Sequence, residues 1–300
     1  MSVDKNLQDL EKEISDLESQ LRDARSRQAL ASGSASSHPA EPAPLPSDNI
    51  FSPSNHALFL LSDSALPLGS FAYSSGLESY IAHKKPLPRS ITPVASFHGF
   101  LRLSLASMGS LSLPYVLAGY RDPSEIETLD NDLDASTLCP VAQRASVAQG
   151  RALIGVWERA FRMSYSSGSF PDPAAQEAIR AIEAFSESLK SSFDNELGPK
   201  GHFAPLWGVV CLAMGMDAGQ TAYVFMMNHA KAVLSAAVRA SVMGPYQAQS
   251  VLASKDLQDM IAERVNREWD TAVEDAGQVV PPLDLWVGRH ELLYSRIFNS

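Results

Sequence analysis

Ala57-Leu-Phe-Leu-Leu-Ser-Asp-Ser-Ala-Leu-Pro-Leu-Gly-Ser-Phe-Ala-Tyr-Ser-Ser-Gly-Leu-Glu-Ser-Tyr80 is the stretch whose reading decides the fold. His56 to Ser62 reads as a short apolar helix. Pro67 and Gly69 then break it, because proline cannot continue a helical hydrogen-bond ladder and glycine accepts backbone angles closed to other residues. Ser75-Gly-Leu-Glu78 fits a capping box, with Ser75 accepting from orphan N–H groups and Glu78 reaching back. Helix, tight turn and capped helix thus follow from local chemistry. On composition alone this is an ordinary helix–turn–helix corner.

Downstream the pattern stays helical. Asp172-Pro173 is a strong start, with Asp at the N-cap and Pro at the first helical position. Ile179, Ile182, Phe185 and Leu189 then form one apolar stripe. Asp217 can cap another helix, whose stripe is Tyr223, Met226, Ala230, Val233, Ala237 and Ser241, and Gly244-Pro245 is read as its end. No run alternates with period two in β-branched residues. The expectation is an all-α fold, a single globular helical domain of about ten helices over residues 54–300.

Between these segments, Arg144, Arg151 and Arg162 fall on one helical stripe, while Leu153, Val156, Trp157 and Ala160 face the other way. Three arginines in a row are ordinarily a solvated face. Ser146, Gln149 and Gly150 fall towards the apolar side. A buried Ser or Gln must be hydrogen-bonded or hydrated, and Gly150 permits close approach of a neighbour.

Upstream, Leu7, Leu10, Ile14, Leu17 and Leu21 keep the a/d rhythm of a coiled coil over residues 1–30. About three heptads is a bare minimum, so a solvated amphipathic helix is the alternative. Residues 31–53 are rich in Ser, Ala and Pro and read as a disordered or extended linker.

Composition excludes several classes. Thirty-four acidic against 24 basic residues give a net charge of −10, which argues against a nucleic-acid partner needing broad phosphate neutralisation. Two cysteines, Cys139 and Cys211, imply no disulfide framework and fit a reducing compartment. The N-terminus lacks a basic and apolar leader, and runs such as Leu206–Met216 are too short to span a bilayer. A cytoplasmic protein with no membrane partner is expected.

The C-terminus does not read as a fraying end. Leu285, Trp286, Leu292, Leu293, Ile297 and Phe298 are too apolar for a free tail and suggest a docking helix that closes the core. His290, Glu291, Tyr294 and Arg296 lie among them.

Taken together, Leu60-Leu61, Ser64 to Gly69, Phe71, Tyr73-Ser74, Gly76-Leu77-Glu78 and the tail His290-Glu-Leu-Leu-Tyr-Ser-Arg-Ile-Phe-Asn-Ser300 resemble the urease accessory protein UreF family. Arg144 to Ile154 and Gly201 to Gly215 are also similar. The chain departs at Met243-Gly-Pro-Tyr-Gln247, where many members carry Leu-Gly-Gln, and no role is carried onto that turn. The likeness covers residues 54–300 and implies a homodimeric scaffold that works with UreD (also called UreH), the GTPase UreG and apo-urease. It implies docking through the turn, with Phe71 and Tyr73, and through a tail that orders on UreD binding, with His290, Glu291, Tyr294 and Arg296. Arg296 is implied in recruiting UreG. Ser146 and Gln149 are implied as lining an interior polar path. Nickel is handled in the complex, with no metal ligand and no stably bound cofactor in this chain.

No catalytic constellation accompanies the resemblance. The seven histidines include no i, i+4 pair, neither cysteine belongs to a Cys-x-x-Cys motif, and there is no P-loop. A metal-dependent helical-bundle enzyme would need Glu-x-x-His pairs on facing helices, and none is found. A coiled-coil adapter unrelated to nickel is the other alternative.

Overall fold

Helix starts and stops follow local chemistry along the chain. The computed structural model describes residues 53–166, 172–192 and 198–299. The expected N-terminal helix and the linker up to residue 52 lie outside the described residues; Pro53 already begins α1 (Pro53–Ser62). Next come α2 (Leu77–His83) and α3 (Pro93–Arg121), the latter opened by Thr92, whose hydroxyl accepts the Ala95 N–H at 3.1 Å. α4 (Ile126–Ser136) and α5 (Pro140–Val156) follow. A π turn at Trp157–Phe161 leads α5 into α6 (Arg162–Ser166). The extra residue in that turn advances the helical phase, so Phe161 is buried and Ala160, expected on the apolar face, is exposed.

α7 (Pro173–Ser191) begins as read from Asp172-Pro173, with Asp172 Oδ1 accepting the Ala174 N–H at 3.0 Å. α8 (Phe203–Ala213) comes next. α9 (Ala218–Arg239) carries a complete capping box between Asp217 and Gln220. It ends earlier than expected: Ser241 sits at φ 58°, outside the helix and exposed. Gly244 and Pro245 instead open α10 (Pro245–Leu252), proline again supplying a preset first-turn φ. α11 (Lys255–Glu268) and α12 (Pro281–Arg289) complete the series. Among the described residues there is no strand, and the fold is all-α.

The core is organised around α8. Ten of its residues, Ala204 through Ala213, are buried, so no face looks outward. It packs most extensively on α3, then on α7 and α5. Gly208 makes the α3 contact possible, because a Cβ there would lie 2.0 Å from the Val116 carbonyl oxygen. α3 is long and apolar enough to cross a membrane by length and composition, although no spanning run was expected. However, 67% of its apolar window is buried inside the protein, as befits a core helix. Pro114 within α3 cannot donate to the Ser110 carbonyl; the Gly277 N–H takes that acceptor at 3.2 Å, so the helix continues through the proline.

Candidate partner-docking site

The turn after α1 is fixed from behind. The last carbonyls of a helix lack intrahelical donors. Here Asn228 donates to the Leu61 oxygen at 2.9 Å and Lys231 to the Ser62 oxygen at 2.7 Å, fastening α1 to α9. Burial pushes the Lys231 ammonium below its ordinary pKa, with Asp63 acting in the opposite sense. Beyond the break Gly69 adopts φ 72°, and Ser70–Ala72 forms a 3₁₀ turn. Ser70 Oγ donates to Gln149 Oε1 at 2.8 Å, and the Arg239 guanidinium donates to the Phe71 carbonyl. The backbone is therefore held, while the Phe71 ring is 66% exposed.

The expected capping box does not form. Ser75 and Gly76 both take left-handed conformations, at φ 53° and 83°. Gly76 is required there for a second reason: a Cβ would lie 3.0 Å from Val287 Cγ2 and 3.1 Å from the Val287 nitrogen. With Ser75 turned away, Ser74 Oγ accepts the Glu78 N–H at 3.3 Å. Glu78 turns away from its own helix instead, Oε2 accepting from His290 Nε2 at 2.8 Å and Oε1 from the Ile297 N–H at 2.9 Å.

Those two bonds join opposite ends of the chain. α12 packs on α2, with Trp286 set edge-on to Tyr80 at 4.7 Å between ring centroids. A 3₁₀ turn at His290–Leu292 follows, and then an irregular tail. Phe298 is buried under the Arg239 guanidinium, 4.4 Å from ring centroid to Cζ, and the Asn299 N–H donates to the Ala72 oxygen at 2.8 Å. Arg144 forms an ion pair with Glu291. The expected docking helix is thus only partly realised. Leu283, Val287 and Phe298 are buried, whereas Leu285 faces outward from α12 and Leu292 and Ile297, beyond its end, are exposed.

The structure brings the sequence-read site residues together unevenly. Phe71, Tyr294 and Arg296 are exposed, Glu291 is exposed and paired, and Tyr73 is half-buried. His290 is fully buried, so its ring is not available at the surface. Sequence reasoning assigned no site role to Glu78 or Arg239. Their partners, the His290 ring and backbone groups of Ile297 and Phe71, are distant in sequence, and no local pattern signals them.

Behind the turn lies a cavity of about 270 Å³. Ser146 and Gln149 both border it. Ser146 Oγ accepts the Phe203 N–H at 3.2 Å and lies 3.0 Å from His202 Nδ1, whose Nε2 is 3.0 Å from Asp134. Gln149 Nε2 donates to the Ala145 oxygen at 3.2 Å. Gly150 allows this approach, since a Cβ there would stand 2.1 Å from the Gly201 oxygen. Farther in, His229 bonds to Ser104 at 2.8 Å, and burial pushes its pKa down to about 4, so it is neutral at pH 7. Burial also raises the Asp284 pKa, against a hydrogen bond from Gln278. Among the described residues no three His, Cys, Asp or Glu side chains cluster to hold a metal. Both cysteines are buried and unpaired by disulfide, and burial pushes the Cys211 thiol up.

What this arrangement defines is an all-α domain whose turn and C-terminal tail are pinned to each other and present exposed aromatic and cationic groups. A family model described as UreF matches residues 91–255, and the chain belongs to the UreF family. Both interlocked end segments lie outside that matched span. The chain is 35% identical over 245 residues to an uncharacterized urease accessory protein UreF-like of Schizosaccharomyces pombe, covering 82% of this chain and 97% of that protein. It is 34% identical to urease accessory protein F of Arabidopsis thaliana, covering 80% and 90% respectively. Against urease accessory protein UreF of Paenarthrobacter aurescens, identity is 26% over 81% and 97%. UreF is a family of accessory proteins, not of enzymes.

Proposed function

We propose that this chain is a cytoplasmic, non-catalytic scaffold of urease maturation. With UreD (UreH) it recruits the GTPase UreG and regulates its delivery of nickel to apo-urease. The observation that carries the reading is the interlocked turn and tail. Phe71 projects at 66% exposure from a backbone held on both sides, and Tyr294 and Arg296 project from the tail tied to it. A rigid exposed aromatic on the turn and an exposed arginine on the tail tied to it suit a protein interface, where such residues dominate binding energy. Pull-down of UreD and UreG by the full chain under low nickel tests the reading; capture of neither would end it.

In this reading Phe71→Ala weakens partner capture and spares the fold. The ring contributes little burial, so helical content stays constant and the melting temperature moves little. A loss of about 3–5 kcal/mol in stability, the cost typical of a truncated core phenylalanine, would place the ring in the interior instead.

Self-association is assigned to residues 54–300. Leu138, Met163 and Tyr246 are 85–89% exposed and offer apolar surface for a second copy. The chain beginning at residue 54 is expected to sediment as a dimer at micromolar concentration. A monomer would transfer dimerisation to the heptads of residues 1–30.

Ser146 and Gln149 are assigned to a polar path through the cavity behind the turn. Serine hydroxyls, His229 and Asp284 are the polar groups such a path would use, within an otherwise largely apolar lining.

A further inference from the structure

We propose that Glu78 is the positioning residue of the C-terminal tail, fixing the segment that bears Arg296 against the turn that bears Phe71. A carboxylate in the first turn of a helix ordinarily faces the unpaired N–H groups of its own helix. Glu78 does not. Only 15% of its side chain is exposed, and its two oxygens go to His290 Nε2 and the Ile297 N–H, which lie 212 and 219 residues away.

Each bond fixes a different part of the tail. His290 is fully buried, and its Nδ1 has no hydrogen-bond partner among the described residues. Glu78 is therefore the one group that satisfies the ring, and an ionised carboxylate there requires the proton on Nε2. Without Glu78 both ring nitrogens would be buried and unpaired, a cost the tail avoids by leaving. The second bond acts next to the functional group. Because the peptide unit is planar, holding the Ile297 N–H holds the Arg296–Ile297 peptide plane and so the backbone that aims Arg296. Among the described residues, the other contacts past residue 292 are the local Leu293 N–H bond to the His290 oxygen, Phe298 under Arg239 and the Asn299–Ala72 hydrogen bond. Tyr294, Arg296 and Ile297 are exposed and bury too little to order it themselves. The resemblance implies a tail that orders on UreD binding, whereas in this chain alone it is already seated; Glu78 thus preorganises the cation, and preorganisation raises affinity by reducing the entropy lost on binding.

The consequence for partner capture rests on the docking reading above; the positional claim does not. Trypsin cleaves after Arg296, so release of Ile297–Ser300 from the full chain reports on the tail directly. Loss of two charge-assisted hydrogen bonds in Glu78→Ala is expected to speed that cleavage, and amide exchange at Asn299, by about tenfold or more. Glu78→Gln, which keeps an acceptor for Ile297, is expected to fall between. Should Glu78→Ala fold poorly, Ile297→Pro removes the tail's donor without touching the buried carboxylate, and exchange at Asn299 is read there. Unchanged tail protection in these variants would overturn the proposal. In UreG binding, Glu78→Ala is expected to weaken capture and to add nothing on top of Arg296→Ala. Independent, additive losses would show that Glu78 does not act through Arg296. If Arg296→Ala itself binds UreG normally, the docking reading fails, while tail protection still decides the role of Glu78.

Discussion

Replacing Gly208 by Ala is expected to destabilise the domain more than any single surface change, by about 3 kcal/mol or more. The new methyl would lie 2.0 Å from the Val116 oxygen and 2.7 Å from the Tyr120 nitrogen, both backbone atoms of α3. Backbone cannot rotate aside as a side chain can, so α3 and α8 must separate. Because α8 is enclosed by α3, α5 and α7, moving it away from one neighbour compresses another. In a domain near 250 residues each kcal/mol shifts the melting temperature by about 2–4 °C, so a drop of about 6–12 °C is expected. Gly99→Ala is the control. Gly99 is exposed in the same α3, and a Cβ there meets nothing within 4 Å. That substitution should be neutral or stabilising by up to about 1 kcal/mol through helix propensity. Equal melting temperatures for the two variants would refute the backbone-contact argument.

The contrast between these glycines shows which features were legible in sequence. Local rules located the starts at Asp172-Pro173 and Asp217, because a cap depends on residues within one turn. They identified the break at Pro67 and Gly69 for the same reason, and the all-α class from period alone. The capping box at Ser75 failed because Ser75 and Gly76 take left-handed conformations and Glu78 bonds instead to His290 and Ile297, far along the chain. Hydrophobic content placed a docking tail after residue 285 but misassigned its anchors. Only packing decides that Phe298 goes in and Leu292 stays out. The phase slip at Trp157–Phe161 was equally invisible, since a π turn leaves no mark in a 100° pattern. The candidate site followed the same division. Phe71 and Arg296 were singled out, whereas Glu78, which joins their segments, was read as a cap because its true partners are 212 and 219 residues distant.

Arg296→Ala is expected to abolish or strongly weaken recruitment of UreG while sparing UreD binding and the fold. Arg296 is exposed, and its guanidinium makes no hydrogen bond or ion pair among the described residues. Truncating it therefore removes nothing the free protein uses, and stability should stay within about 0.5 kcal/mol. Its neighbours explain why it is nonetheless well placed. The Ile297 N–H is fixed by Glu78 and the Phe298 ring lies under Arg239, so the tail is held on the residues just after it. A guanidinium presented this way offers a planar fork of donors to a carboxylate or phosphate. Losing such a contact at an interface costs on the order of 2–5 kcal/mol, roughly thirty-fold or more in affinity. Lysine keeps the charge but not the fork, so Arg296→Lys should recover only part of the binding. The measurement is UreG affinity for preformed complexes of this chain with UreD, carrying each variant, with melting temperatures alongside. Full UreG binding by Arg296→Ala would remove the tail from the docking surface. An equal loss of UreD binding would make the arginine a contact to UreD instead.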